Sequence, residues 1–174
     1  MRASVFCGVS LDGFIARKDG GLDWLEGDGP PDDHGYNDFI STIDALVIGR
    51  NTYDVVLGFG GWFYGKTPVF VLSSRDLGAT PEGGVVERMS GEPRHIYDEL
   101  ESKGFKHLYI DGGITVQKFL NAGLIDKIIV SRLPILIGEG IPLFGKTDRD
   151  IRLSLDDLRQ FPSGMVQCSY SVKK

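Results

Sequence analysis

Short apolar runs, separated by glycine, proline and charged residues, recur along the whole chain. Runs of four to eight residues that are rich in valine, isoleucine and leucine are typical of buried strands. The runs that predict strands span 3–9, 45–48, 69–72, 85–89, 107–110, 127–133, 151–155 and 165–172, with a brief further run at 14–16.

Apolar residues at helical spacing lie between several of these runs. Aromatic and isoleucine residues recur in this way over 36–43, directly after Asp32 and Asp33, which are candidate N-caps. A second helix is predicted to begin near Asn51 or Thr52, either of which can cap it, and to end at position 57. Two more helices are predicted over 93–100 and 115–121.

The order of these elements indicates the fold class. Strands first alternate with helices, which implies parallel pairing with crossover helices, and at the end strand follows strand, which implies an antiparallel C-terminal hairpin. We therefore predict an α/β fold with a mixed, mainly parallel sheet of about eight strands and flanking helices. No linker composition interrupts the chain, so we interpret residues 1–174 as a single domain. The segment 17–33 is predicted to be a long loop, which is either functional or mobile.

Charge and composition narrow the classes of function. The net charge is −5 and no block of lysine or arginine occurs, which disfavours nucleic-acid binding. No apolar stretch approaches the ~20 residues of a spanning helix, and the N-terminus shows no signal-peptide pattern. The only two cysteines, Cys7 and Cys168, belong to no metal-ligand pattern, so we predict no metal and two reduced thiols in the cytoplasm.

Three predicted strand ends carry small, hydroxyl or cationic residues. They are 49–52, 73–75 and 111–115, and two of them open helices directly. Ligands of parallel sheets bind at the carboxyl ends of strands, and helix N-termini suit phosphate. Together with Arg50 and Arg75, the three segments indicate a nucleotide pyrophosphate site with an extra phosphate. Each segment alone is equally well explained as a cap or a turn, and neither a GxGxxG nor a P-loop motif is present.

These segments are part of a resemblance that extends over nearly the whole chain. The sequence resembles the dihydrofolate reductase-like superfamily, and within it the C-terminal reductase domain of the bifunctional riboflavin deaminase-reductase. The segments that carry the resemblance are Ser10–Ala16, Asp44–Tyr53, Val71–Arg75, Ile110–Gly113 and Leu133–Phe144. The last of them is typical of the riboflavin-type branch.

The resemblance implies an NADPH-dependent reductase of dihydrofolate reductase-like fold. Hydride would pass from the nicotinamide to a carbon of a C=N or C=O bond. The residues implied to hold the pyrophosphate and adenosine side are Gly49, Arg50, Asn51, Thr52, Ile110, Gly112, Gly113, Ile114 and Thr115. Those implied at the 2′-phosphate are Ser73, Ser74 and Arg75, and those implied at the nicotinamide are Gly8, Ile15 and Ala16. The residues implied to contact substrate are Phe6, Trp24, Phe39 and Ser131, with Trp24 on a mobile loop that covers the site.

The proton donor is the open part of the implied mechanism. Folate-reducing members carry a carboxylate on the first helix, where this chain has Gly35. The neighbouring Asp33, His34 and Asp38 are alternatives, although Asp33 also fits an N-cap and His34 a solvated first turn. Asp111 is a second candidate, because the riboflavin-type branch has an acid before its glycine pair; it also fits a turn-stabilising role.

Two departures argue against a true dihydrofolate reductase. The helix acid is displaced or lost, and Thr67 replaces the arginine that would hold the glutamate tail of folate. The deaminase half and its zinc signature are also absent from the sequence. We therefore predict a stand-alone reductase of a small pyrimidine- or pterin-like substrate, with 5-amino-6-(5-phosphoribosylamino)uracil-type chemistry favoured. A dihydrofolate or pterin reductase and a catalytically silent nucleotide-binding homologue remain the alternatives.

A phosphorylated substrate and a partner subunit add two further expectations. A phosphoribosyl group requires cations in the pocket, and the candidates beyond Arg50 and Arg75 are Arg17, Lys18 and Arg132. The resemblance also implies a homodimer, with the stretch 133–137 and the last strands as candidate interface.

Overall fold

A computed structural model describes residues 1–25 and 32–173. Part of the predicted loop 17–33, residues 26–31, lies outside the described residues. The strands are β1 (Arg2–Ser10), β2 (Phe14–Ala16), β3 (Ala45–Gly49), β4 (Val69–Leu72), β5 (Val86–Met89), β6 (His107–Asp111), β7 (Lys127–Leu133), β8 (Ile141–Pro142), β9 (Leu153–Gln160) and β10 (Val166–Val172). The helices are α1 (Tyr36–Ile40), α2 (Arg50–Leu57), α3 (Pro93–Ser102) and α4 (Gly113–Asn121).

Eight strands form one mixed sheet in the order β5-β4-β3-β6-β1-β7-β10-β9. Neighbours from β5 to β7 are parallel, whereas β10 is antiparallel to both β7 and β9. The predicted α/β fold and its antiparallel C-terminal pair are confirmed. No helix in the described part of the chain combines the length and apolar character needed to cross a membrane.

Alternating residues of the central strands face two apolar layers, as the period of two in a strand requires. One layer contains Val5, Val47 and Ile110 and is covered by α3 and α4. The other contains Leu46 and Ile48, together with Tyr53, Val69, Val71, Tyr109 and Phe39. Because both faces are covered, the β-branched runs are continuous rather than alternating, which made the strands predictable.

Several element boundaries differ from the sequence prediction. Helix α2 begins at Arg50, with Gly49 as its N-cap, rather than at the predicted Asn51 or Thr52. Helix α1 has Gly35 as its N-cap and ends at Ile40, short of position 43. Strand β9 continues to Gln160, beyond the predicted end at 155, because its backbone pairs with β10 while its polar side chains remain exposed.

The glycine- and proline-rich turn at 138–142 contains an additional short strand. There β8 pairs with β2, so that Phe14 lies opposite Pro142 and Ala16 opposite Ile141. The Asp12 carboxylate accepts hydrogen bonds from the backbone N–H groups of Ile137 (3.3 Å) and Gly138 (2.8 Å). These contacts hold the turn against the end of β1, beside the carboxyl ends of the parallel strands.

Candidate active site

Two reciprocal glycine–threonine contacts join the carboxyl ends of β3 and β6. A Cβ on Gly112 would lie 2.5 Å from Thr52 Oγ1, and a Cβ on Gly49 would lie 3.0 Å from Thr115 Oγ1. Gly112 also has φ 92°, a conformation that glycine adopts without steric cost. The first turns of α2 and α4 therefore pack directly on the opposite strand ends, with no space for a side chain at either glycine.

Neither of these two helices has a side-chain cap. The N-cap residues are Gly49 and Gly112, and no side chain bonds the first N–H groups of either helix. Such groups carry the positive end of the helix dipole and are suited to bind phosphate oxygens. Asn51 and Ile114 in these first turns are exposed. The geometry thus forms a cradle that fits the diphosphate of a dinucleotide.

A cluster of arginines surrounds the segment that follows β4. The Arg50 guanidinium donates to the carbonyl oxygen of Asp76 (2.7 Å) and pairs with Asp54 (2.8 Å). Arg88 of β5 donates to the carbonyl oxygen of Ser74 at 3.3 Å. Among the described residues, no acceptor binds the guanidinium of the exposed Arg75. We call Arg50, Arg75 and Arg88 the arginine corner.

The two serines of this segment have different environments. Ser73 is buried, and its hydroxyl donates to the Arg75 carbonyl oxygen (2.8 Å) and accepts from the Arg75 N–H (3.0 Å). Ser73 therefore shapes the turn, whereas Ser74 is exposed beside the guanidiniums. A phosphate placed at this corner would meet the Ser74 hydroxyl and the unengaged Arg75 side chain.

The remaining predicted cofactor residues lie at the inner end of the cradle. A Cβ on Gly113 would lie 2.7 Å from the Pro142 carbonyl oxygen and 3.3 Å from Ile15 Cδ1, so β2 and β8 close on the start of α4. Ala16 is buried at the end of β2. The Ile110 side chain belongs to the core under α4, which leaves only its backbone on the site side.

A cavity of about 460 Å³ lies at the carboxyl-terminal parts of β1 and β7. Predicted substrate residues Phe6, Trp24 and Ser131 line it, and so does Gly8, assigned to the cofactor by resemblance. Phe39 lies behind Phe6, with 5.0 Å between the ring centroids, and is not among the lining residues. The lining residues are Phe6, Gly8, Trp24, Leu25, Asp32, Asp33, His34, Tyr36, Ser131, Leu133, Pro134, Ile135, Phe161, Pro162, Ser163 and Met165.

A buried glutamine organises the polar side of the cavity. Gln167 Nε2 of β10 donates to Ser131 Oγ (2.9 Å) and to the carbonyl oxygen of His34 (3.0 Å). His34 has φ 51°, unusual for a non-glycine residue, and its ring meets the edge of Phe161 at 4.7 Å between centroids. Its Nδ1 atom is buried without a hydrogen bond and lies 3.7 Å from an Asp32 carboxylate oxygen. The structure thus fixes an imidazole at the cavity wall.

The three predicted acids lie in different environments. Asp33 accepts hydrogen bonds from the N–H groups of Gly35 (3.0 Å) and Asn37 (2.9 Å), and these bonds lower the pKa of its carboxyl. Asp33 therefore stays ionised near neutral pH and serves as a local cap for α1. Asp38 is exposed on α1 and does not line the cavity. Neither Asp33 nor Asp38 is therefore favoured as the proton donor.

Asp111 is less exposed than Asp33 and Asp38. Burial raises the pKa of its carboxyl from 3.8 to about 6, although the Gly112 N–H donates to Oδ1 at 2.7 Å. The pKa of the Tyr36 hydroxyl is raised to about 12, first by burial of the phenol and then by the charge of Asp111. Tyr36 lines the cavity, whereas Asp111 does not.

The cations expected in the pocket are engaged elsewhere. Arg17 pairs with Asp23 through two bonds of 2.7 and 2.8 Å, and Lys18 pairs with Glu139 at 2.5 Å. Arg132 alternates with the inward Ser131 along β7, so its exposed side chain leaves the opposite face of the sheet. Among the described lining residues there is no lysine or arginine.

Sequence reasoning missed Arg88, Tyr36 and Gln167 as site residues. Arg88 reaches the segment after β4 only through the β4–β5 register, which places it opposite Val71. Gln167 offered a signal, because a glutamine at an inward position of a strand requires a hydrogen-bond partner when buried. That partner, Ser131, lies 36 residues away in sequence.

Comparison with known proteins identifies the family. The model of the RibD C-terminal domain matches residues 69–167, more than half of the chain. The Bacillus subtilis (strain 168) protein YwjB is 32% identical over 95% of both chains, and YyaP of the same organism is 31% identical over 93% of this chain and 90% of its own.

Solved structures are similar over the whole chain. A crystal structure from Shewanella sp. PV-4, of a protein provisionally named a riboflavin biosynthesis protein, has a TM-score of 0.92 and 38% identity and covers 100% of both chains. The Thermotoga maritima diaminohydroxyphosphoribosylaminopyrimidine deaminase/5-amino-6-(5-phosphoribosylamino)uracil reductase has a TM-score of 0.77 at 14% identity. The match covers 99% of this chain and 56% of the Thermotoga chain, and at this identity it shows a similarity of fold alone. With the glycine cradle and the eight-stranded sheet, these matches show that the chain belongs to the RibD C-terminal domain family.

Proposed function

We propose that this protein is an NADPH-dependent reductase of a small heterocyclic or carbonyl compound. Family membership supports the coarser statement, an oxidoreductase. The observation that carries the cofactor assignment is the pair of uncapped helix N-termini at Gly49 and Gly112, joined to the arginine corner. This combination supplies N–H donors for a diphosphate and guanidiniums for one further phosphate.

Different residues along this edge of the sheet would bind different parts of the cofactor. NADPH, when bound, supplies a hydride. The first turns of α2 and α4 would hold the diphosphate, and Ser74 with Arg75 would hold the 2′-phosphate that distinguishes NADPH from NADH. Gly8, which lines the cavity, would lie against the nicotinamide.

The proton that accompanies the hydride has two candidate sources. Asp111 retains a proton near pH 6, and its charge is felt by the Tyr36 hydroxyl at the cavity wall. His34 lines the cavity directly, beside Asp32. Asp111→Asn and His34→Gln separate them: the variant that lowers turnover while leaving NADPH affinity unchanged identifies the donor. If neither variant lowers turnover, both residues leave the mechanism.

The relatives support a substrate that contains a pyrimidine ring. One similar fold carries the name of a 5-amino-6-(5-phosphoribosylamino)uracil reductase, and the Shewanella relative is provisionally assigned to riboflavin biosynthesis. In such a compound the hydride would be accepted by the ribosylamino carbon rather than by the ring. A pterin, whose ring has C=N bonds of its own, is the nearest alternative. A protein that binds NADPH but reduces none of these compounds would be a nucleotide-binding homologue without catalysis.

Calorimetric titration with NADPH and NADH tests the cofactor assignment. Tight NADPH binding with weaker NADH binding is expected, because only NADPH places a phosphate at the arginine corner. Equal affinities would contradict the 2′-phosphate site, and failure to bind either cofactor would overturn the reductase proposal.

A homodimer in the cytoplasm completes the proposal. Strand β9 is an open edge, and Leu153, Leu155 and Leu158 are 38, 54 and 57% exposed. A register shift against β10 keeps all three leucines on one face. Light scattering is expected to give a dimer for the native chain and a monomer for Leu155→Lys, with Leu57→Lys as the control on a different surface.

The proposed cytoplasmic location is supported by the two cysteines, which are both free, as expected in a reducing compartment.

A further inference from the structure

The cavity that would hold the substrate has an unusual charge distribution. Its described lining contains two carboxylates, Asp32 and Asp33, and no lysine or arginine. Asp33 is held ionised by the two backbone N–H groups that it accepts.

Apart from Arg132, whose side chain leaves the opposite face of β7, the cations near the cavity are paired with carboxylates. Arg17 and Lys18 are bound by Asp23 and Glu139. Arg159 lies next to Gly35, where its Nη1 would be 3.4 Å from an added Cβ, but its Nε donates to Asp157 at 3.0 Å. Recruiting any of them to a ligand would require breaking an existing ion pair.

A phosphate ester fits this cavity poorly. A phosphate carries close to two negative charges at neutral pH and requires guanidinium, ammonium or clustered N–H donors when it is removed from water. Here it would instead approach Asp32 and Asp33, and like charges at short range repel. The arginine corner, which does have such donors, lies beyond β3 and β4 and is the site proposed for the cofactor.

The walls of the cavity favour a flat, uncharged ring. Phe6, Tyr36 and Phe161 present aromatic surfaces, and Trp24 and Met165 add apolar area. Besides the two carboxylates, the polar side chains of the described lining are Ser131, Ser163, Tyr36, His34 and Trp24. A volume of about 460 Å³ is typical of sites for small ligands.

We propose that the substrate of this reductase is a flat heterocycle without a phosphate group, such as a free base, a nucleoside or a pterin. This inference rests on the proposed function and specifies the substrate class of the same site. The proposed substrate therefore differs from the phosphoribosyl compound that appears in the name of the Thermotoga relative. Selectivity would come from ring stacking and from Ser131, positioned by Gln167, rather than from charge.

A matched ligand pair tests the inference. 5-Amino-6-(ribosylamino)uracil and its 5′-phosphate are titrated separately into protein saturated with NADP⁺, and both are then assayed with NADPH. We expect at least tenfold tighter binding and higher kcat/KM for the compound without phosphate. Equal or tighter binding of the phosphate ester overturns the inference, and so does failure of both compounds and of a free pterin to bind. Failure of NADP⁺ itself to bind is a different result, which overturns the proposed function instead.

A positive charge introduced into the cavity provides a second test of the inference. Ile135 lines the cavity, whereas its neighbour Leu136 does not and is 68% exposed. We expect Ile135→Lys to tighten the phosphate ester at least tenfold relative to the native protein, and Leu136→Lys to leave both affinities unchanged. If Ile135→Lys folds, binds NADP⁺ and gains no affinity for the phosphate ester, the missing cation is not what excludes phosphate, and the inference fails.

Discussion

The arginine corner and the substrate cavity lie at the same edge of one sheet, yet their electrostatics are opposite. The corner has three guanidiniums around the residues that follow β4, with Arg75 free of acceptors in the described structure. The cavity has two carboxylates, and its described lining contains no basic residue. Under the proposed function, negative charge would be recognised at the arginine corner alone, and the cavity would select its ligand by shape and hydrogen bonding.

Replacing Gly112 is expected to damage the cofactor end most. Gly112→Ala combines a positive-φ backbone (φ 92°, ψ 134°) that L residues rarely adopt, about 1–3 kcal/mol, with a contact at 2.5 Å to Thr52, about 1–3 kcal/mol more. Urea unfolding should show the summed loss, and calorimetry should show NADPH binding weakened more than tenfold. Gly104→Ala is the matched control, since Gly104 has φ 94° with nothing within 4 Å. Equal losses in both variants would mean that the contact with Thr52 is not important.

Asp111 lies between the two regions, and its titration should make the free energy of unfolding depend on pH. The folded protein retains a proton on Asp111 between about pH 4 and 6 that the unfolded chain has released, so this group makes stability fall as pH rises through that window. Asp111→Asn keeps an acceptor for the Gly112 N–H and should raise the free energy of unfolding by about 2–3 kcal/mol at pH 8.

The gain from Asp111→Asn should shrink as pH is lowered toward 4. Urea unfolding at pH 8 and pH 5 measures it, with Asp38→Asn as the exposed control, for which no such difference is expected. A gain that is the same at both pH values would show that the carboxyl titrates normally in the folded protein.

Removing Arg75 should affect only the phosphate-bearing cofactor. Charge-assisted hydrogen bonds contribute about 1.5–3 kcal/mol, so Arg75→Ala should weaken NADPH binding by roughly 10- to 100-fold and leave NADH binding unchanged. Arg94→Ala, on the exposed surface of α3, is the control. A parallel loss for both cofactors would assign Arg75 to the diphosphate instead of the 2′-phosphate.

Ionic strength should give the smallest effect and the most direct comparison. Raising salt from about 0.05 to 0.5 M shortens the Debye length and should weaken NADPH binding by a few-fold. Binding of an uncharged heterocycle in the cavity should not change. A substrate affinity that also falls with salt would show that charge contributes at the cavity after all.

The fold was predictable because β1, β3, β4 and β6 are largely apolar runs that end at or just before glycine, serine or aspartate. The alternation of strands and helices then determined the sheet's character before any contact was known. The short strand β8 was not predictable, because it lies inside the glycine- and proline-rich turn at 138–142 and forms only through pairing with β2. The full length of β9 was not predictable either, because its last residues are mostly polar and are ordered by pairing with β10.

The candidate site was predictable where a local sequence carries the chemistry. Gly49 and Gly112 are followed directly by the helices that they cap, so the cradle could be inferred from the chain order. What could not be inferred are relationships across the sheet. Arg17 and Lys18 were expected to face an anion, and their pairing with Asp23 and Glu139 became visible only in the folded chain.

The reciprocal contacts of Gly49 with Thr115 and of Gly112 with Thr52 have a consequence for paired substitutions. Each threonine occupies the space that a side chain on its partner glycine would need. A double substitution therefore distinguishes the two glycines: Gly49→Ala with Thr115→Ala relieves the steric conflict at position 49. At position 112 the same exchange with Thr52 leaves the cost of the positive φ, so only the pair at 49 and 115 can be exchanged in concert.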